Sequence, residues 1–181
     1  MRIIAGRLKG RRLQAPDGMR VRPTSDGLRE TLFNVLGPTL DGQRVLDAFA
    51  GTGALGLEAL SRGAASIVFV EQDRRVIGVL ERNIDACGAS EACVIIRDDF
   101  VGIDERDGLT GTFDLVLLDP PYDLRELDRA VETGAALVGS GGRLVLEHSR
   151  RRASPQAAGA LHRTRVLVAG DSALSFYAAP A

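Results

Sequence analysis

The sequence predicts an α/β fold, with a mostly parallel sheet, an antiparallel strand pair at the C-terminal end and a small β-hairpin extension at the N-terminal end. Three observations predict it. From Arg44 onward, short apolar runs alternate with stretches of helical periodicity, the pattern of βαβ units. The loop Gly51-Thr52-Gly53-Ala54-Leu55-Gly56 follows the first of these runs and opens a helix. Near the end, two apolar stretches are separated only by Ala169-Gly170-Asp171-Ser172, too short for a crossover helix, so they pair antiparallel.

The opening segment reads as a hairpin, residues 2–5 and 8–13 joined around Gly6, followed by a turn at Pro16-Asp17-Gly18. It is too small to fold alone. Arg22 precedes Pro23 and is therefore extended. Thr24, Ser25 or Asp26 can cap a helix carrying Leu28, Leu32, Val35 and Leu36, which Gly37-Pro38 stops. Strands are then expected at 45–47, 67–71, 94–96, 115–119 and 143–147, with helices at 54–62, 74–87 and 124–138. The closing pair occupies 163–168 and 173–177. This divides the chain into an extension, 1–23, and one main domain, 24–181.

A chain of 181 residues suits one such domain. No apolar stretch approaches the roughly 20 residues of a membrane-spanning helix, and the start lacks the features of a secretory signal, so the expectation is a cytoplasmic protein with no membrane partner. Cys87 and Cys93 form no CxxC pair and lie far from His148 and His162, which excludes metal-ligand spacing and leaves two small apolar thiols. Phe33, Phe69 and Phe113 read as core. Net charge is −1 but unevenly spread: Arg2, Arg7, Lys9, Arg11, Arg12, Arg20 and Arg22 face only Asp17. A basic arm on an acidic body suits a polyanionic partner, or a charged edge kept soluble.

Gly51, Gly53 and Gly56 satisfy the GxGxxG spacing of Rossmann-like folds, and Glu71 ends the next strand where an acid can accept from ribose hydroxyls, with Gln72 beside it. Taken alone, this indicates a nucleotide cofactor without saying which. A dinucleotide pyrophosphate disfavours an adjacent anion, whereas Asp47 puts a carboxylate at the loop entrance and suits the ammonium and sulfonium of S-adenosylmethionine. Asp47, Phe49, Gly51 and Gly53 together make the Asp-x-Phe-x-Gly-x-Gly form that resembles class I methyltransferases. Further along, Asp99 and Phe100 follow a strand where such folds accept from adenine and pack against its ring. Asp98 competes for that place, and an acid there is also a common helix cap.

An apolar strand delivers Asp119-Pro120-Pro121-Tyr122 to the carboxyl end of the sheet, where open α/β folds bind ligands. The prolines fix the backbone and remove donors. That leaves the Pro120 carbonyl and the Asp119 carboxylate as acceptors for one amine. An exocyclic amine on a base is a poor nucleophile because its lone pair is delocalised, and accepting its hydrogens localises that pair. Tyr122 offers a stacking face for a base turned out of its helix, worth about 1–3 kcal/mol.

These residues resemble the bacterial RsmD-like methyltransferases, which act on the N2 amine of a guanine in 16S ribosomal RNA. The resemblance spans nearly the whole chain: Arg2-Ile3-Ile4-Ala5-Gly6 with Gly10-Arg11-Arg12-Leu13, Arg22-Pro23-Thr24-Ser25-Asp26 with Arg29-Glu30 and Phe33-Asn34, the two motifs above, and Gly170-Asp171 with Ser175-Phe176-Tyr177. Gly27 departs from the larger residue usual there. The resemblance implies a seven-stranded class I methyltransferase domain, S-adenosylmethionine as cofactor, and 16S rRNA in the small subunit or its assembly intermediate as partner, with ribosomal proteins nearby. It makes Arg7, Lys9, Arg11 and Arg12 phosphate contacts and lets Arg22 and Thr24 line either the RNA or the cofactor pocket. A monomer is expected. The tetrad occurs equally in adenine-N6 methyltransferases; the lack of a target-recognition domain favours RNA read by shape. A nicotinamide-dependent oxidoreductase is disfavoured by Asp47, and a non-catalytic RNA-binding module leaves Asp119 unexplained. Arg150-Arg151-Arg152 reads as a solvated run in preference to a second phosphate contact.

Overall fold

A computed structural model describes residues 1–16, 26–103 and 108–180. The chain divides into two compact units, Met1–Arg97 and Asp98–Ala181. Arg22 and Thr24 lie outside the described residues, as do the anticipated turn at Asp17-Gly18 and the first two of the three candidate caps.

In the first unit, β1 (Arg44–Ala48), β2 (Ser66–Val70) and β3 (Cys93–Ile96) form parallel pairs in the order β3-β2-β1, with Val45 opposite Ile67 and Ile67 opposite Cys93. Helices α1 (Asp26–Leu36), α2 (Ala54–Ser61) and α3 (Arg74–Ala86) accompany them. α3 is amphipathic: Val76, Ile77, Val79, Leu80 and Ile84 are buried, and the Asp73 side chain caps it by accepting from the Arg75 N–H at 2.8 Å. α2 is buried from Leu55 to Ser61, all round, so its polar residues Glu58 and Ser61 need partners inside the protein. Its approach to β2 depends on Gly56, where an added Cβ would meet Phe69 Cε1 at 2.4 Å and Ile67 Cγ2 at 2.8 Å. This is the packing role of the third glycine in the loop motif.

The expected N-terminal hairpin is present as an antiparallel bridge, Arg2 with Arg12, flanked by backbone bonds from the Ile3 N–H to the Arg11 carbonyl at 3.0 Å, the Gly10 N–H to the Ile3 carbonyl at 2.9 Å and the Leu13 N–H to the Met1 carbonyl at 3.1 Å. The arm is held to α2 by buried side chains and by one backbone bond, from the Arg7 N–H to the Ser61 carbonyl at 2.8 Å. Glu58 accepts from the Ile4 and Ala5 N–H groups at 2.7 and 3.0 Å, and Ser61 Oγ accepts from the Leu8 N–H at 2.9 Å. Gly6, at φ 79°, lies so close to α2 that a Cβ would stand 1.9 Å from the Ser61 carbonyl oxygen.

In the second unit the strand order is β4-β5-β8-β7-β6, with β4 (Phe113–Leu118) parallel to β5 (Val138–Ser149) and the remaining pairs antiparallel. β7 (Leu161–Ala169) and β8 (Ser172–Ala178) are the expected closing pair, and β6 (Ala157–Ala158) adds a two-residue edge. β5 starts well before the expected residue 143, and α4 (Leu127–Leu137) starts three residues later than expected. The early half of β5 is glycine-rich because β4 comes close: a Cβ at Gly142 would lie 2.8 Å from the Phe113 carbonyl oxygen. Phe33, Phe69 and Phe113 are all core, as expected. Among the described residues no helix is long and apolar enough to cross a membrane.

Candidate functional site

The glycine loop lies at the carboxyl ends of β1 and β2 in the first unit. Asp47, only 1% exposed, ends its strand with Oδ2 accepting from the Gly56 N–H at 2.8 Å. Gly56 is in the first turn of α2, whose N–H groups lack helical partners, so the carboxylate sits at the positive end of that helix. Phe49 adopts φ 60°, the one positive value away from glycine among the described residues. For a bulky side chain this conformation costs about 1–3 kcal/mol. Gly51 and Gly53 also have positive φ, and at Gly53 a Cβ would meet Leu80 Cδ1 at 2.4 Å. The Glu71 carboxylate spans the loop base, accepting from the Gly51 N–H at 3.0 Å and the Asp73 N–H at 2.9 Å. Gln72 is exposed next to it.

Asn83, which the sequence reading passed over as part of a helix face, ties this loop to the arm. Its Nδ2 donates to the Thr52 carbonyl at 2.9 Å and the Gln14 carbonyl at 3.1 Å, while its Oδ1 accepts from the Gln14 N–H at 2.8 Å. The signal was available: a polar residue in the buried stripe of α3. Glu58 and Ser61 are similar omissions. Glu58 is fully buried, pairs with Arg62 Nε at 2.8 Å and lies 4.0 Å from Arg29 Nε. Arg29, also fully buried, donates to the Arg2 carbonyl at 2.6 Å. Burial pulls the Arg29 pKa down, against the opposing pull of Glu58 and Asp26.

Arg7, Lys9, Arg11 and Arg12 are all exposed on the arm. Arg11 already has a structural partner, donating to the Ala86 carbonyl at 2.7 Å at the negative end of α3. Cys93 is half-buried, and burial pushes its thiol up to about 11.

The tetrad belongs to the second unit, directly after β4. Asp119 is half-buried, Pro120 buried and Pro121 exposed. Tyr122 directs its hydroxyl to Ser172 Oγ at 2.6 Å and Glu147 Oε1 at 3.4 Å. A small cleft is lined by Pro120, Pro121, Tyr122, His148, Ser149 and Arg152. Asp99 accepts from the Val101 N–H at 3.2 Å, capping the short turn Phe100–Gly102, and Phe100 is 2% exposed. The cap is the alternative role the sequence left open for Asp99.

Behind the cleft, the direction of each hydrogen bond can be assigned. His148 Nδ1 lies 3.0 Å from the Ser149 carbonyl and 2.9 Å from the Arg152 carbonyl, so it carries the proton. Nε2 then accepts from Ser175 Oγ at 2.8 Å, and Ser175 accepts from Ser154 Oγ at 2.7 Å. Arg163 Nη1 donates to Ser154 Oγ at 2.8 Å. Burial, with help from Arg163 and Arg152, pulls the His148 pKa down and keeps the ring neutral. The arginine run divides: Arg150 and Arg151 are exposed, while Arg152 Nη1 donates to the Leu124 carbonyl and Nη2 to the Arg125 carbonyl at 3.3 Å. Arg152 is thus not the solvated charge expected of it.

Known proteins resemble this chain in sequence and fold. The family described as Conserved hypothetical protein 95 matches residues 1–178. The YlbH protein of Bacillus subtilis is 35% identical over 184 residues, 98% of each chain. Ribosomal RNA small subunit methyltransferase D of Escherichia coli is 43% identical over 123 residues, 67% of this chain and 60% of that protein, so the matched part spans less than two thirds of that relative. The solved structure of yhhF from Escherichia coli has a TM-score of 0.84 at 34% identity, covering 98% of this chain and 96% of that one. The fold is that of the class I methyltransferases, and the chain belongs to the Conserved hypothetical protein 95 family, the RsmD-like proteins that its own motifs resemble.

Proposed function

We propose that this chain is an S-adenosylmethionine-dependent methyltransferase acting on the exocyclic N2 amine of a guanine in 16S ribosomal RNA of the small subunit or its assembly intermediate. The observation that carries the reading is the tetrad Asp119-Pro120-Pro121-Tyr122, set directly after the buried strand β4 with its tyrosine hydroxyl hydrogen-bonded. The relationship to ribosomal RNA small subunit methyltransferase D of Escherichia coli supports small-subunit RNA as the substrate.

The glycine loop fits the cofactor: the turn made by positive φ at Gly51 and Gly53, with the carboxyl groups of Asp47 and Glu71, suits an adenosine ribose and a cationic amino-acid portion. When bound, S-adenosylmethionine supplies an electrophilic methyl group. The chain's own residues do the rest. The Asp119 carboxylate and Pro120 carbonyl accept the two amine hydrogens and direct the nitrogen lone pair, and the Tyr122 ring supports the base face, so the acceleration comes from positioning and electrostatics. Phe49 and Gln72 border the cofactor at the loop and beyond Glu71, and Asp99 with Phe100 flank its adenine. Residues 1–23 form an RNA-contacting extension of the domain 24–181, with Arg7, Lys9, Arg11 and Arg12 on phosphates and Arg22 and Thr24 at the pocket.

Incubation with methyl-labelled S-adenosylmethionine and small subunits from cells lacking this protein tests the proposal. Label in 16S RNA is the expected result. No label in RNA from either free subunits or assembly intermediates would refute it.

A further inference from the structure

Tyr122 and the chain after it are tied down by two residues that no motif marks. The Tyr122 hydroxyl is hydrogen-bonded to the Ser172 hydroxyl at 2.6 Å, with Glu147 Oε1 as a further acceptor at 3.4 Å. Ser172 and Glu147 stand on β8 and β5, strands in continuous antiparallel register from Arg143 opposite Ala178 to Ser149 opposite Ser172. Ser172 itself is buried. The second tie is Arg152, whose guanidinium fork takes the Leu124 and Arg125 carbonyls, two and three residues past Tyr122. Arg152 is in turn fixed through its backbone, its N–H donating to the Ser149 carbonyl at 3.0 Å and its carbonyl accepting from His148 Nδ1 at 2.9 Å.

We infer that Ser172 and Arg152 are positioning residues for methyl transfer: Ser172 fixes the plane of the Tyr122 ring against which the base stacks, and Arg152 fixes the chain leaving the tetrad. The inference rests on the functional reading above. A tyrosine ring on a loop turns about two bonds. With its hydroxyl anchored to a registered strand pair, the ring presents one face in one orientation, and the entropy of ordering it is met before the base arrives. Ser172 and Arg152 act through Tyr122 and the loop, without touching the reacting atoms.

The test compares wild type, Tyr122→Phe, Ser172→Ala, Ser172→Thr, the Tyr122→Phe/Ser172→Ala double variant and Arg152→Lys. Methyl transfer to small subunits is measured beside cofactor affinity by calorimetry and thermal stability. Ser172→Ala and Tyr122→Phe should each lower kcat by on the order of tenfold, with cofactor affinity unchanged, and the double variant should be no slower than either single one. Ser172→Thr, which keeps the hydroxyl, should restore the rate. Arg152→Lys, a point charge without the fork, should lose activity at unchanged cofactor affinity. Losses that multiply in the double variant, or full activity in Ser172→Ala or Arg152→Lys, overturn the inference.

The chain has two tyrosines, so the ring-carbon resonance of Tyr122 can be assigned with Tyr122→Phe and followed without turnover. A shift in Ser172→Ala that Ser172→Thr reverses supports the tether; an unmoved resonance overturns it. If wild type transfers no methyl to RNA, the functional reading fails, whereas a wild type that transfers normally beside an unmoved resonance fails the tether alone.

Discussion

The carboxylate of Glu58, itself fully buried, accepts the backbone N–H of Ile4 at 2.7 Å across 54 positions of sequence. This ties the start of the N-terminal arm to one buried side chain on α2. Glu58→Ala would remove the partner of Arg62, leave Arg29 with Asp26 as its remaining carboxylate neighbour and abandon two N–H groups. The expected loss is about 3–5 kcal/mol of stability, measured by urea unfolding, and a loss below 1 kcal/mol would show that water reaches the site.

Gly6→Ala attacks the same docking from the arm side. A Cβ there would stand 1.9 Å from the Ser61 carbonyl oxygen in a backbone conformation that alanine resists. The arm should come away from α2, seen as faster hydrogen exchange at the Leu8 amide, which otherwise donates to Ser61 Oγ. RNA affinity should fall with it. Unchanged exchange would mean that the arm docks by another route.

Lys9 and Arg12 are exposed on this arm, whereas Arg11 already holds the Ala86 carbonyl. Lys9→Ala with Arg12→Ala should therefore weaken RNA binding without disturbing α3 and reduce the slope of log affinity against log salt by roughly 0.7–0.9 for each lost phosphate contact. Fluorescence titrations across a salt series read that slope directly. A parallel line would remove the arm from the RNA interface.

His148 gives a pH signature. Its folded pKa lies below the ordinary 6.5, principally from burial, with Arg163 and Arg152 adding to the effect. Below pH 6.5 the unfolded chain binds the proton more readily than the folded one, so the neutral ring stabilises the fold above that value and the contribution is lost as pH falls through the folded pKa. Urea midpoints should decline from pH 7 to pH 5, and less steeply in His148→Gln. Equal slopes would assign the acid sensitivity to other groups.

Much of this fold was legible because its strands are buried runs between helices of clear period. The loop at Gly51, the strand leading to Asp119 and the closing pair all carry local signals strong enough to survive folding unchanged. The omissions have physical causes. Residues 139–142 carried no strand signal, because Gly139 and Gly142 answer a neighbour's backbone and Gly141 adopts φ 75°. Residues 2–13 pair as expected, but the side chain that anchors them, Glu58, carries no local signal because it acts from α2. Asp119 and Tyr122 declared themselves through adjacent prolines, whereas Ser172, Glu147 and Arg152 act across strand pairs that sequence spacing does not encode.

Asp119→Asn tests the acceptor role at the reaction centre. It keeps the shape but replaces one carboxylate oxygen with a donor. Transfer should fall on the order of 100-fold or more, while S-adenosylmethionine affinity changes little. Equal losses in both would move Asp119 to the cofactor.

The central claim is amine methylation of a guanine, and nucleoside analysis of the labelled 16S RNA tests it most directly. After complete digestion, the label should migrate with N2-methylguanosine and be absent from the Asp119→Asn reaction. Label in N6-methyladenosine would contradict the account.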